Sequence, residues 1–234
     1  MTIARSKTRV EVMFESAAPR PNGMTGSPDG LWLIDQHFDD AYLVNESGKV
    51  LRRIMTDSGN SSGLAYGGGL LWVALNGGLR GRASRPNDRE GFWILKVSPK
   101  TGKTLEVFQL PFEGRLHGLE WVRGKIWAAR HEIKVMDLLD PKDWSVVRSF
   151  EVPYPRAHGV AWDGKGLWVA HPSDQLIAQY DVITGEQIDG YELPEGSPEP
   201  HGLTYWRNKL WYCDAKSDAV CTVFSKKETK RGVL

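Results

Sequence analysis

Three histidines hold the same place in a repeated phrase. His117, His158 and His201 are each followed by glycine, an apolar residue, one variable residue and an aromatic residue. If the repeats are arranged about an axis, side chains at one register point toward a common centre. Neutral imidazole is a ligand for zinc and suits iron, whereas manganese leans toward oxygen donors. Three imidazoles that leave open positions describe a catalytic metal site. Two other uses stay open: a metal-free acid/base cluster, or pore-lining groups that bind loop carbonyls and water. The leading expectation is a divalent metal ion (Zn, Mn or Fe) on His117, His158 and His201.

Asn22 and Ser62 begin two degenerate copies of the phrase and would complete the ring, where either could hold a metal-bound water. Two residues before a ring position stand Arg20, Arg115 and Arg156, with Glu199 at the corresponding place before His201. A guanidinium fork matches carboxylate or phosphate, so these arginines are candidates for recruiting an anion. The ends of the second strands supply Asp35, Arg130, His171 and Asp214. His171 is a candidate proton carrier, Arg130 another anion contact, and Asp35 or Asp214 a carboxylate that orients a ring histidine. Glu120 breaks a position otherwise held by Thr25, Ala65, Ala161 and Thr204. A carboxylate there needs a partner, and it is a candidate fourth ligand or base, unless it faces the neighbouring repeat.

These residues must be positioned by the repeat itself. His117-Gly-Leu-Glu-Trp121 leads through a turn to Lys125-Ile-Trp-Ala-Ala129, and the other copies follow suit. Alternating and β-branched residues, with turns such as Arg123-Gly124 and Arg207-Asn208, predict four short strands per repeat. The reading is all-β: a five-bladed β-propeller of roughly 40 residues per blade. The fifth repeat lacks a fourth strand, and residues 8–14 alternate properly, so the N-terminal strand should complete the last blade and close the ring. Trp32, Trp72, Trp127, Trp168 and Trp211 share one register and are expected between blades as packing. Residues 77–91 interrupt blade two, rich in glycine and arginine. They are expected to form a lid over the channel mouth, with Arg80 and Arg82 meeting an anionic ligand.

The 234 residues read as one domain ending in a basic tail, 226–234. A net charge of +1 argues against a general nucleic-acid or membrane surface. The N-terminus has no apolar signal region and no stretch is long enough to span a membrane, which points to the cytoplasm. Cys213 and Cys221 are then expected as free thiols, although a hairpin pairing is open.

The Gly-Leu-x-Trp-turn-Leu-Trp-Val-Ala phrase resembles the streptogramin lyase-like, SMP-30/gluconolactonase-like and glutamine cyclotransferase-like propellers, over nearly the whole chain. The lyase-like resemblance implies a divalent metal, histidine acid/base chemistry and eliminative opening of an ester. Five blades suit the cyclotransferase group, although Arg20-Pro21-Asn22-Gly23-Met24 departs from that group's Phe-Thr-Gln-Gly-Leu opening. The expected function is a metal-dependent lyase, isomerase or hydrolase acting on a small anionic molecule. The alternatives are a non-catalytic propeller that binds a peptide or protein, and metal-free acyl transfer of the cyclotransferase type.

Overall fold

A computed structural model describes residues 6–89, 91–110 and 114–225. The basic tail lies outside them. β1 (Ser6–Glu15) precedes the first complete blade, formed by β2 (Pro21–Ser27), β3 (Gly30–Asp35), β4 (Asp40–Val44) and β5 (Val50–Met55). Blade 2 is β6 (Ser61–Gly67), β7 (Leu70–Asn76), β8 (Phe92–Val97) and β9 (Thr104–Gln109). Blade 3 is β10 (Leu116–Val122), β11 (Lys125–Arg130), β12 (Val135–Leu139) and β13 (Val146–Glu151). Blade 4 is β14 (Val160–Trp162), β15 (Leu167–His171), β16 (Leu176–Tyr180) and β17 (Gln187–Glu192). β18 (Gly202–Trp206), β19 (Lys209–Cys213) and β20 (Ala219–Ser225) begin blade 5.

β1 pairs antiparallel with β20, from Thr8 opposite Ser225 to Glu15 opposite Ala219, with a bulge between Val12 and Phe14. The N-terminal strand therefore closes a five-bladed β-propeller, as the alternation in residues 8–14 predicts. Ser6 and Lys7 also pair in parallel with Tyr191 and Glu192, which links blades 4 and 5 into one eight-stranded sheet. The third strand of blade 3 begins at Val135. His131 to Lys134 form a turn, and Lys134 takes a left-handed backbone (φ 56°). Among the described residues the one helical element is a three-residue 3-10 turn, Pro172–Asp174.

The core is divided among the blade junctions. Trp32 packs with Leu64, Leu71 and Val73 of blade 2, and Trp72 with Leu119 and Ile126 of blade 3. Trp127, Trp168 and Trp211 repeat the contact onto blades 4, 5 and 1. All five indoles are buried. A large flat ring at one register thus supplies each junction with apolar area that a single four-stranded blade cannot provide alone.

Five blades leave a narrow axis, and this explains the glycine after each ring residue. A Cβ on Gly118 would stand 2.1 Å from the His158 carbonyl oxygen, and one on Gly159 would stand 2.3 Å from that of His201. Between Gly23, Gly118, Gly159 and Gly202 the axis has no space wide enough for a water molecule. The channel is therefore shut directly below the ring residues, and any chemistry belongs to the top face.

The insertion at residues 77–91 is folded onto blade 1. Its neck is tied by Gly77 N–H to the Gly91 carbonyl at 2.9 Å. Both terminal nitrogens of Arg82 donate to Asp88 at 2.6 Å, and its Nε lies 3.4 Å from Asp39 Oδ2. Arg85 reaches Asp40 at 2.9 Å. Arg82, Asp39 and Asp88 are nearly or fully buried, so water screens these pairs little. Arg82→Ala leaves Asp39 buried opposite no cation, at a cost of about 3 kcal/mol to the docked loop. Trypsin cleavage at Arg80 and Arg89 is expected to accelerate by about tenfold or more. An unchanged cleavage rate would show that the ion pairs do not hold the loop down.

Candidate functional site

The first strand of each blade carries its ring residue to the top of the axis. In three blades the residue two positions earlier takes a left-handed backbone: Arg20 (φ 60°), Asn60 (φ 55°) and Arg156 (φ 52°). This turn redirects the chain from the outer fourth strand to the axis. His117, His158 and His201 share the first-strand register and come together at the axis. His117 Nδ1 lies 2.9 Å from His158 Nε2, and the His158 and His201 ring centroids are 5.0 Å apart.

A fourth imidazole joins them. His131, in the turn after β11, stands 4.3 Å from His117, centroid to centroid. It lies outside the repeated phrase, and only its place one residue beyond a second strand hints at it. That place is also polar in two other blades, and each side chain reaches into the next blade. Gln36 donates to Asn60 at 2.9 Å, and Asn76 both donates to the Leu116 carbonyl at 2.8 Å and accepts its amide at 3.1 Å.

Burial, reinforced by the neighbouring rings and arginines, pulls His117 down to about 3 and His158 well below the usual imidazole range. Burial lowers His131 as well. These three rings are neutral at physiological pH and act as acceptors or tautomeric relays. His117 Nε2 and His158 Nδ1 are buried without a hydrogen-bond partner.

His201 is held differently. Its Nδ1 faces the Glu199 carbonyl at 3.2 Å and Asp214 Oδ1 at 3.4 Å, with the Ala215 amide at 3.3 Å. The Ala215 N–H also points at Nδ1, but the ionised Asp214 accepts from that nitrogen, which places the proton on Nδ1 and leaves Nε2 with an open lone pair. Burial alone would raise Asp214, but hydrogen bonds from His201, the Lys216 amide and Ser217 hold it well below the usual carboxylate range. The Glu199 carboxylate lies 3.9 Å from Nε2, accepts from Arg156 at 2.8 Å and also pairs with Lys216. Burial works against its charge, but these two cations outweigh it and keep Glu199 ionised.

The other sequence candidates are dispersed. Arg115 pairs with Glu132 at 2.9 Å, Arg130 with Asp137 at 3.3 Å, and Arg20 donates to Gln36 at 3.2 Å. Arg80 is exposed on the insertion, and Arg82 faces Asp39 and Asp88 rather than the axis. Ser62 donates to the Leu116 carbonyl at 2.5 Å, whereas the Asn22 side-chain nitrogen is buried without a partner. Asp35 caps its own loop through the His37 amide at 2.7 Å, and burial pushes it up to about 7. His171 is buried away from the ring against Tyr180, 3.0 Å from its hydroxyl, and burial pulls it down to about 4.

Glu120 faces blade 4, where it meets the Trp162 backbone. Burial pushes it up to about 8, and its Oε2 has no hydrogen-bond partner. The folded protein therefore keeps a proton that the unfolded chain releases near the ordinary value of 4.5. This penalty is absent below that value and grows as pH rises toward 8. Glu120→Gln is expected to be more stable than the parent by about 1–3 kcal/mol at pH 8 and equal to it near pH 4. Denaturant melts across that range check this, and parallel pH profiles would refute it.

For one ion to be held by His117, His158 and His201, three ring nitrogens must face one point. Instead two of them face each other at 2.9 Å, and His201 Nδ1 turns to Asp214 and the Ala215 amide. Among the described residues no group of three His, Cys, Asp or Glu side chains is arranged to hold a metal ion. As placed, the three rings do not turn three nitrogens to one point. Cys213 and Cys221 are buried free thiols.

No protein-family model matches the chain, and no curated protein matches it in sequence. Solved structures do match. A glutaminyl cyclase from Myxococcus xanthus overlaps 95% of this chain and 97% of its own, with a TM-score of 0.74 at 11% identity. The likeness is one of fold. A streptogramin B lyase covers 94% of this chain and 98% of its own at 15% identity, with a TM-score of 0.53. A virginiamycin B lyase from Staphylococcus aureus covers 90% and 68% at 17% identity, also with 0.53. No helix among the described residues is long and apolar enough to cross a membrane.

Proposed function

We propose that the chain is an enzyme that moves protons on a small anionic molecule at the top of the axis, in an elimination, isomerisation or hydrolysis. One observation carries this reading: His201, backed by Asp214, offers an open Nε2 beside the Arg156–Glu199–Lys216 cluster. A carboxylate behind an imidazole fixes its tautomer and stabilises the imidazolium formed when the ring takes a proton. His201 is the base. His158 and His117, held neutral and in contact at 2.9 Å, line the site beside it. Arg156 and Lys216 receive the substrate's negative charge in exchange for Glu199, whose carboxylate marks the place where an anion is stable.

The test is a substrate panel of small carboxylate esters and lactones, N-terminal glutaminyl peptides and streptogramin B. The overlaps with a glutaminyl cyclase and with a streptogramin B lyase put the last two classes on it. The expected result is turnover of one class that survives EDTA and is lost in His201→Ala. No turnover of any class, or activity unchanged in that variant, would overturn the reading.

A further inference from the structure

We propose that the bottom face carries a second site, a pit between blades 3 and 4 that takes an apolar side chain flanked by carboxylates on a partner protein. The pit holds about 260 Å³ and is walled by Val122, Trp127, Leu138, Trp162, Val182 and Ile183. Ile183 stands at its lip, 69% exposed. Three cations edge it: Arg123, Lys125 and Arg148. No acidic side chain lines it.

The repeat shows what is missing. The junction between blades 5 and 1 has the same turn: Arg207 there matches Arg123 here, both left-handed, at φ 49° and 50°. Arg207 lies over Trp206, 4.5 Å from the ring centroid, and meets Glu46 of the next blade at 3.2 Å. Glu46 follows Asn45, whose side chain accepts the Ser47 amide. In blade 4 the equivalent residue is Asp181, which accepts the Ile183 amide. Val182 thus occupies the place of Glu46.

The carboxylate that answers the arginine at one junction is replaced by an apolar wall at the other. Asp181 does not substitute for it, because its carboxylate is engaged within its own turn by the Ile183 and Thr184 amides at 2.7 and 2.8 Å. Lys125 has Asp140 at 2.7 Å, and Arg148 donates to the Ile183 carbonyl with the Asp181 charge nearby. Arg123, where Val182 replaces the acid, therefore leaves positive charge beside an exposed apolar surface. A hydrophobic anchor flanked by acids satisfies both at once.

The probes are blocked pentapeptides with two aspartates on each side of a central leucine, phenylalanine or glycine, titrated calorimetrically against the full chain. The leucine or phenylalanine peptide is expected to saturate at about 1 mM or tighter. The glycine peptide, and a leucine peptide flanked by lysines, should bind at least tenfold more weakly. Arg123→Glu combined with Ile183→Asp, both exposed positions, should abolish binding while leaving the melting temperature and top-face activity unchanged. No saturable binding by any acidic-apolar peptide, equal binding of the glycine peptide, or undiminished binding to the double variant would each overturn the proposal.

Discussion

Gly118→Ala is expected to destabilise the propeller by about 3 kcal/mol or more, which lowers the melting temperature by roughly 6–12 °C in a chain of this length. The new methyl would stand 2.1 Å from the His158 carbonyl oxygen and 2.6 Å from a methyl of Val160. A carbonyl on a first strand is not the far end of a flexible side chain. To move it, β14 must shift against β18, and in a closed ring every shift is passed to the next blade. The strain would also part His117 from His158, whose rings meet directly above. Gly78→Ala is the control: a Cβ there meets nothing within 4 Å and its backbone is not left-handed. Its effect should stay within about 0.5 kcal/mol. Equal melts for the two variants would show that the axis is looser than these distances say.

The same crowding explains why so much of the fold was legible. In the phrase His-Gly-apolar-x-aromatic every letter has a geometric cause. The glycine fits the axis, the apolar residue faces the preceding blade, and the tryptophan of the following strand fills the junction with the next. Closure was legible too, because residues 8–14 alternate as only a strand with a partner needs to.

The site was legible only where it follows the repeat. His117, His158 and His201 share a register and therefore a centre. The arginines share a register as well, but their partners do not. Glu132 lies in the turn after β11, Glu199 at a ring entry, and Gln36, the partner of Arg20, just beyond β3. Loop conformation decides which carboxylate faces which guanidinium, and the repeat does not encode it. His131 escaped notice for the same reason. The one available clue at blade 5 was Glu199, an acid where three other blades carry arginine, and it proves to be the centre of an ion cluster rather than a gap in a basic rim.

His201→Ala is expected to lower kcat by about 10²–10⁴, because general acid–base groups contribute on that scale. His201 is the only ring of the four with a carboxylate at hydrogen-bonding reach of one nitrogen and a lone pair on the other. His158, fully enclosed and flanked by two imidazoles, is held neutral too strongly to serve as the base. Asp214→Asn separates positioning from charge. The amide can still approach Nδ1, but it no longer favours the tautomer that frees Nε2, nor does it stabilise the imidazolium. It should therefore lower kcat by about 10² or more with little change in KM. A purely structural Asp214 would instead lower the melting temperature and leave the pH profile intact. If His201→Ala turns over as fast as the parent, the base is another group and the assignment of His201 fails, whichever substrate the panel finds.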